Sequence, residues 1–418
     1  MMHRWLVLIV GIWWSAGGSL FAQTNPGRWV SRPYSLTQMK RALSSEFEHV
    51  RSQALGVLDS QMVAYSAVAD AVKESIKRDL HSEQISPMTV EAVRRLGLSS
   101  RDEDVQYLIT LTKAEDAHVV MAAAVALLER KPSEQLPLLV GLAQRPEFQK
   151  SYGFRRGLVD AVAAVPDKAS VEFLIDIVSR FDGQLRFHTA QHLSRLTGQN
   201  FGGHADQWAD WWQQHADGFQ PPVQKPEAAD NATSSPTQIP WHEPLPEFCG
   251  APIYAKRVVF VINRSAIMAT QVNGVSRLNE ARYQLKKVIG SLDHYVHFNV
   301  VEFNATVRSF KPELVPADED HKAESRAFLN ELTAKGPYAK SAALMAGLSS
   351  DPNLEAVYFI TDSDTCVFAQ MLNNRAFTAL NSMKRTSIFT VGVDCDKESR
   401  EYLQDLAHRN AGQFLLIR

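Results

Sequence analysis

Three apolar runs in the second half of the chain end in oxygen-bearing side chains. RVVFVIN (257–263) delivers Asn263, Arg264 and Ser265. AVYFITD (356–362) ends at Asp362, with Asp364 two residues on, and SIFTVGV (387–393) is followed by Asp394 and Asp396. Short β-branched runs of this kind are read as buried strands. In an open α/β sheet, ligands bind beyond the carboxyl ends of the strands. Carboxylate, hydroxyl and amide oxygens collected there suit a hard cation: Mg²⁺ asks for about six oxygens in near-octahedral array, and Ca²⁺ for a looser shell. Two residues after Ser265 stands Ile267, which has no ligand atom.

Other chemistry is thinly represented. No G-x-S-x-G, H-E-x-x-H, P-loop or paired C-x-x-C occurs. His188 and His192 lie four apart on a helical stretch, but a pair without a third ligand is weak as a metal site; a solvent-exposed or groove-lining position is the expectation. The formal net charge is −2, with no basic stripe of the kind nucleic-acid binders carry. Asn231-Ala232-Thr233 and Asn304-Ala305-Thr306 fit a glycosylation pattern that is common by chance.

From Lys256 onward, apolar runs alternate with helical stretches at 277–292, 322–333, 340–348, 369–384 and 397–410, and the last run is QFLLIR (413–418). This order predicts a mostly parallel sheet covered on both faces. HFNVVEFN (297–304) is expected to have an antiparallel partner in residues 304–310. The succession KRVVFVINRS, VEFN, GPYAKSAALMAGL, VYFITDSD, FTVGVD and GQFLLIR resembles a von Willebrand factor A (VWA) domain, a Rossmann-like α/β fold. The resemblance implies a metal-ion-dependent adhesion site built from D-x-S-x-S after the first strand, a Thr in a later loop and an Asp after the fourth strand. Carried onto this chain, Asn263 replaces the first Asp, Ser265 is kept, Ile267 replaces the second Ser, Tyr338 in Gly336-Pro337-Tyr338-Ala339 stands where Thr belongs, and Asp362 is kept. The expectation is a scaffold whose metal site is lost, with no cofactor. The alternative is weak Mg²⁺ or Ca²⁺ binding on an acidic rim of Asp362, Asp364, Asp394 and Asp396. The strand order that the resemblance implies makes a Cys366–Cys395 disulfide plausible and leaves Cys249 as the odd thiol.

The first half reads differently. Residues 36–215 carry apolar side chains at helical spacing, and similar helices recur: HVRSQALGVL (49–58), MTVEAVRRLGL (88–98), HVVMAAAVALL (118–128), FRRGLVDAVAAV (154–165) and LRFHTAQHLSRL (185–196). Partner helices lie between them, and a pair that cannot bury both faces alone stacks into a solenoid. The texture resembles HEAT repeats. Trp208, Trp211 and Trp212, on one helical face, are expected to cap the array. Residues 217–247 are Pro-rich and read as an extended, mobile linker, leaving a VWA-like domain at 250–418. Residues 1–22 read as a secretory signal peptide with cleavage after Ala22, so the mature chain is expected to be exported, periplasmic or secreted, with no membrane span. The function expected from all this is a non-catalytic interaction or scaffold protein of the cell envelope with a protein partner and no nucleic acid. The alternative is a metal-dependent adhesion or sensor protein.

Overall fold

The computed structural model describes residues 34–81, 85–128, 130–220, 240–241, 243–337, 340–362 and 375–417. Its amino-terminal part is helical: α1 (Leu36–Leu43), α2 (Glu48–Gly56), α3 (Ser60–Val63), α4 (Ser66–Leu80), α5 (Pro87–Leu96), α6 (Asp102–Leu111), α7 (Ala117–Leu127), α8 (Pro132–Gly141), α9 (Pro146–Lys150), α10 (Tyr152–Ala163), α11 (Lys168–Arg180), α12 (Gly183–Thr197) and α13 (Ala205–His215). Local chemistry starts these helices. Ser86 and Asp116 cap α5 and α7 by accepting backbone N–H bonds, and Pro132 and Pro146 open α8 and α9, where a missing N–H costs little. The recurrent helices α2, α5, α7, α10 and α12 pack on one another in chain order. Their partners form a second layer, with α8 on α11 and α11 on α13. Two apolar clusters fill the space between the layers, and Ala114 borders both. At the end of the array Trp208 is fully buried, its Nε1–H donated to the Gly202 carbonyl at 2.8 Å, with Trp211 and Trp212 packed against the same core.

The carboxyl-terminal part is an α/β sheet. A hairpin of β1 (Glu247–Phe248) and β2 (Ala251–Pro252) leads into β3 (Arg257–Asn263); a second hairpin, β4 (Gln271–Val272) and β5 (Val275–Ser276), leads into α14 (Arg277–Ser291). Then come β6 (His297–Phe303), β7 (Val307–Ser309), β8 (Val315–Pro316), α15 (Glu319–Asn330), α16 (Lys340–Ser349), β9 (Ala356–Thr361), α17 (Arg375–Lys384), β10 (Ser387–Val393), α18 (Lys397–Arg409) and β11 (Phe414–Ile417). The main sheet runs β11-β10-β9-β3-β6-β7, parallel from β11 to β6, with β7 and β8 antiparallel to β6. Alternate residues of β3 serve opposite faces. Val258, Phe260 and Ile262 pack under α14 and α15, while Val259 and Val261 pack with α16, α17 and α18. Chain order steps from β3 to β6 on one side and returns to β9 on the other. The β3/β9 boundary is therefore a topological switch point, where strand ends diverge and leave a crevice.

The two parts are docked, and the sheet meets the repeats at the amino ends of its strands. Asn353 Oδ1 accepts the Tyr152 N–H at 2.7 Å, and Glu355 Oε2 accepts the Gln184 N–H at 3.0 Å. Both donors are first-turn groups that have no partner within their own helix. Glu355 caps α12, whose own Asp182 makes no side-chain cap bond. The Tyr254 ring stacks on Phe187 at 4.0 Å, His188 Nε2 meets Ser387 Oγ at 2.9 Å, and Arg385 donates to Asp160 at 2.9 Å. Gly153 and Gly157, one turn apart on α10, permit the approach: a Cβ at Gly153 would collide with the Met383 carbonyl oxygen, and one at Gly157 would lie 2.9 Å from Arg385 Nε. Of the Pro-rich segment, 221–239 and residue 242 lie outside the described residues. Its described end is anchored rather than free: the Gly203 N–H donates to the Pro240 carbonyl, and Trp241 packs on Tyr254.

Candidate functional site at the strand ends

Asn263 sits at the tip of β3, fully buried beside the tip of β9. Its Nδ2 donates to Asp362 Oδ1 at 2.8 Å and Thr361 Oγ1 at 3.2 Å. Its Oδ1 accepts the Ser265 N–H at 2.8 Å, which turns the loop back over the strand end. Both ends of the amide are thus spent inside the protein. An Asp here would face Asp362 across the same gap as a like charge, so that one of the two would have to hold a proton or share a cation.

The cation beside Asp362 is Arg277. Its Nη1 lies 3.9 Å from Asp362 Oδ2, and its Nη2 lies 2.9 Å from both Asp394 Oδ2 and the Asp394 carbonyl. Asp394 adopts a left-handed φ of 43°. Arg277 is the first residue of α14, where the helix dipole disfavours positive charge. The two carboxylates offset that placement. Sequence reasoning missed Arg277, and the local signal was this misplaced base in a first helical turn.

The remaining positions divide. Ser265 is buried, and its Oγ has no hydrogen-bond partner; the same holds for Asp362 Oδ2. Ile267 lies in a one-turn 3₁₀ segment with its side chain outward, 41% exposed, while Met268 fills the core. Asp396 caps α18, accepting the Ser399 N–H at 2.8 Å, so this member of the acidic rim is a helix cap. Tyr338 and Asp364 lie outside the described residues. The described residues thus offer two open oxygens beside a guanidinium, against the shell of about six oxygens, several of them water, that Mg²⁺ takes. Among the described residues no group of three or more His, Cys, Asp or Glu could hold a metal ion.

Cys249 and Cys395 are free thiols, Cys395 buried. The expected cross-link to Cys366 is therefore unsupported at its described end, and Cys366 lies outside the described residues. His188 is a correction to the expected solvent-exposed or groove-lining position, while His192 stays partly exposed. His188 is buried in the docking surface, and His192 Nε2 reaches Asp160 at 3.0 Å. Burial first, then the neighbouring Arg156, holds the His188 pKa well below the usual imidazole range. Asn304 donates its amide to the Lys335 carbonyl and is nearly buried, so it is a turn residue; Asn231 lies outside the described residues. No helix among the described residues is long and apolar enough to cross a membrane.

A family model for the von Willebrand factor type A domain matches residues 256–415. Human inter-alpha-trypsin inhibitor heavy chain H4 is 27% identical over 171 residues, 38% of this chain and 18% of that protein; its Bos taurus counterpart is 25% identical over the same length. The chain thus spans under a fifth of the curated relatives it matches. Among solved structures, a von Willebrand factor type A protein from Catenulispora acidiphila is similar with a TM-score of 0.32 and 18% identity, over 40% of each chain. An aerotolerance-related membrane protein from Bacteroides fragilis gives 0.31 and 17%, over 38% of this chain and 90% of that one. Residues 256–415 form a VWA domain with a central, mostly parallel sheet, preceded by a region of helical repeats.

Proposed function

We propose that this chain is a non-catalytic interaction or scaffold protein of the cell envelope, exported to the periplasm or beyond. It holds a protein partner at the VWA strand-end rim without a divalent metal, and at HEAT-like repeat surface that docking leaves open. The VWA domain and the distant similarity to an inter-alpha-trypsin inhibitor heavy chain support interaction or adhesion as the class. The observation that carries the metal-free reading is Arg277, whose guanidinium engages Asp394 and faces Asp362 while the Asn263 amide bonds to the same Asp362. Docking uses the amino ends of the strands, so among the described residues the carboxyl-end rim points away from the repeats.

One observation favours metal-dependent binding instead: Ser265 Oγ and Asp362 Oδ2 are buried oxygens without hydrogen-bond partners. Calorimetry of the full chain with Mg²⁺, Mn²⁺ and Ca²⁺ separates the two readings, together with cross-linking capture of partners from the native envelope with and without EDTA. The metal-free reading expects no binding heat and capture that EDTA leaves unchanged. Submillimolar cation binding, or capture abolished by EDTA, overturns it.

A further inference from the structure

A cavity of 500 Å³ lies where the two parts of the molecule meet, between α5 and α10 on one side and α17 with the turns after α17 and α18 on the other. This is the size of a small-molecule site, in a common place for one, between packed domains. Its charge is one-sided. Arg94, Arg156, Arg385 and Arg409 line it, and Asp160 is the one acid among its lining residues.

That acid is already shared: Arg156 Nε and His192 Nε2 each lie 3.0 Å from Asp160 Oδ1, and Arg385 Nη1 lies 2.9 Å from Oδ2. The nearest carboxylate to Arg94 is Glu91 at 3.9 Å, and Glu91 is engaged at 2.7 Å by Arg95. Arg156 is 94% buried, and its Nη1 has no hydrogen-bond partner. Arg385 holds a left-handed φ of 51°, a conformation unfavourable for a residue with a Cβ. Burial first, and then the charge of Arg385, pushes the Arg94 guanidinium below its ordinary pKa. Asn381 and Asn410 stand on the same wall with their amides engaged: Asn381 Nδ2 donates to Asn410 Oδ1 at 2.8 Å, and Asn410 Nδ2 donates to the Leu406 carbonyl at 2.8 Å. Arg409 is engaged by an acid outside the lining, its Nε 2.8 Å from Asp405 Oδ1. Guanidinium groups still outnumber carboxylates in this half-enclosed lining, and their planar forks match phosphate and carboxylate oxygens.

We propose that this interdomain cleft binds a small oxyanionic ligand, a phosphoryl or carboxylate compound with at least two negative charges, through Arg94, Arg156 and Arg385. Such a ligand bridges repeat helices to the VWA domain. It fixes their docking and is independent of whether the strand-end rim takes a metal.

The test uses the full chain at constant ionic strength, with pyrophosphate as the phosphoryl probe and citrate as the carboxylate probe. Calorimetry and thermal melting provide the readouts. The expected result is saturable binding of one or both probes with a Kd below about 1 mM, and the probe that binds more tightly identifies the chemistry. Arg94 lies outside the Asp160 network, so Arg94→Gln is expected to melt no lower than wild type without ligand while losing at least about tenfold in affinity. Absence of saturable binding of either probe to the wild-type chain overturns the proposal. So does unchanged affinity in Arg94→Gln.

Discussion

Asn263 joins β3 to β9 with a hydrogen bond where a carboxylate would set a like charge against Asp362. Asn263→Asp is therefore expected to destabilise the protein by about 1–3 kcal/mol at neutral pH in EDTA, because it removes the donor to Asp362 and sets two buried like charges together. Denaturant melts with and without Mg²⁺ check this, and metal should recover part of the loss. Arg277→Met tests the complementary half. It strips the cation from Asp394 and Asp362, so the melting temperature should fall by a few degrees, for about 1 kcal/mol, and Mg²⁺ should raise it where it does not in the wild type. If Mg²⁺ raises the wild-type melting temperature equally, Arg277 does not stand in for a metal at the rim.

The decisive elements are α10, α12 and the turn before β9. Asn353 and Glu355 supply acceptors to two helix starts in the other part of the molecule, and Gly153 and Gly157 let α10 come down onto the 383–385 backbone. Gly153→Leu puts a side chain where a carbonyl oxygen already lies. It should open the interface while leaving each part folded, seen as a larger radius of gyration in solution scattering and faster proteolysis between the parts, at a cost of about 1–3 kcal/mol. Trp208→Ala removes the largest fully buried side chain at the end of the repeat array and should cost about 3–5 kcal/mol in a denaturant melt. Its effect should be confined to the repeats.

Across the whole molecule, docking is expected to depend on pH through three buried groups, Glu355, Asp160 and His188. Loss of solvation pushes Glu355 up to about 7 from an ordinary 4.5, against the two N–H donors of Gln184 and Lys256 and the nearby charge of Arg155. A raised pKa means the neutral form is favoured in the docked state. Its contribution is therefore complete below pH 4.5 and is lost as pH rises through about 7. Asp160 and His188 work the other way. Their pKa values are depressed, and what they contribute is lost as pH falls. The clean measurement is the stability of wild type minus that of Glu355→Gln, which mimics the neutral acid: it should fall as pH rises from 4.5 to about 7, the variant becoming relatively the more stable. A difference constant with pH would show that Glu355 is ionised throughout.

The sequence by itself determined the elements. β3 and β10 begin and end at the residues read from RVVFVIN and SIFTVGV, the hairpin partner of β6 is Val307–Ser309, and the recurrent helices stack in the predicted order. Apolar periodicity within a dozen residues reports burial directly, so these features are local and legible. The resemblance to the VWA pattern further implied, through Asn263 and Ile267, an altered strand-end site. Only the tertiary structure decided what stands in its place. Arg277 and Asp394 are 117 residues apart, Asp160 and Arg385 are 225 apart, and nothing in either neighbourhood specifies the partner. The same holds for the docking surface, where a buried His188, two glycines and a capping Glu355 matter only once distant backbones have met. Charge pairing is a short-range interaction between groups that folding brings together, so the chain encodes it only through the whole fold.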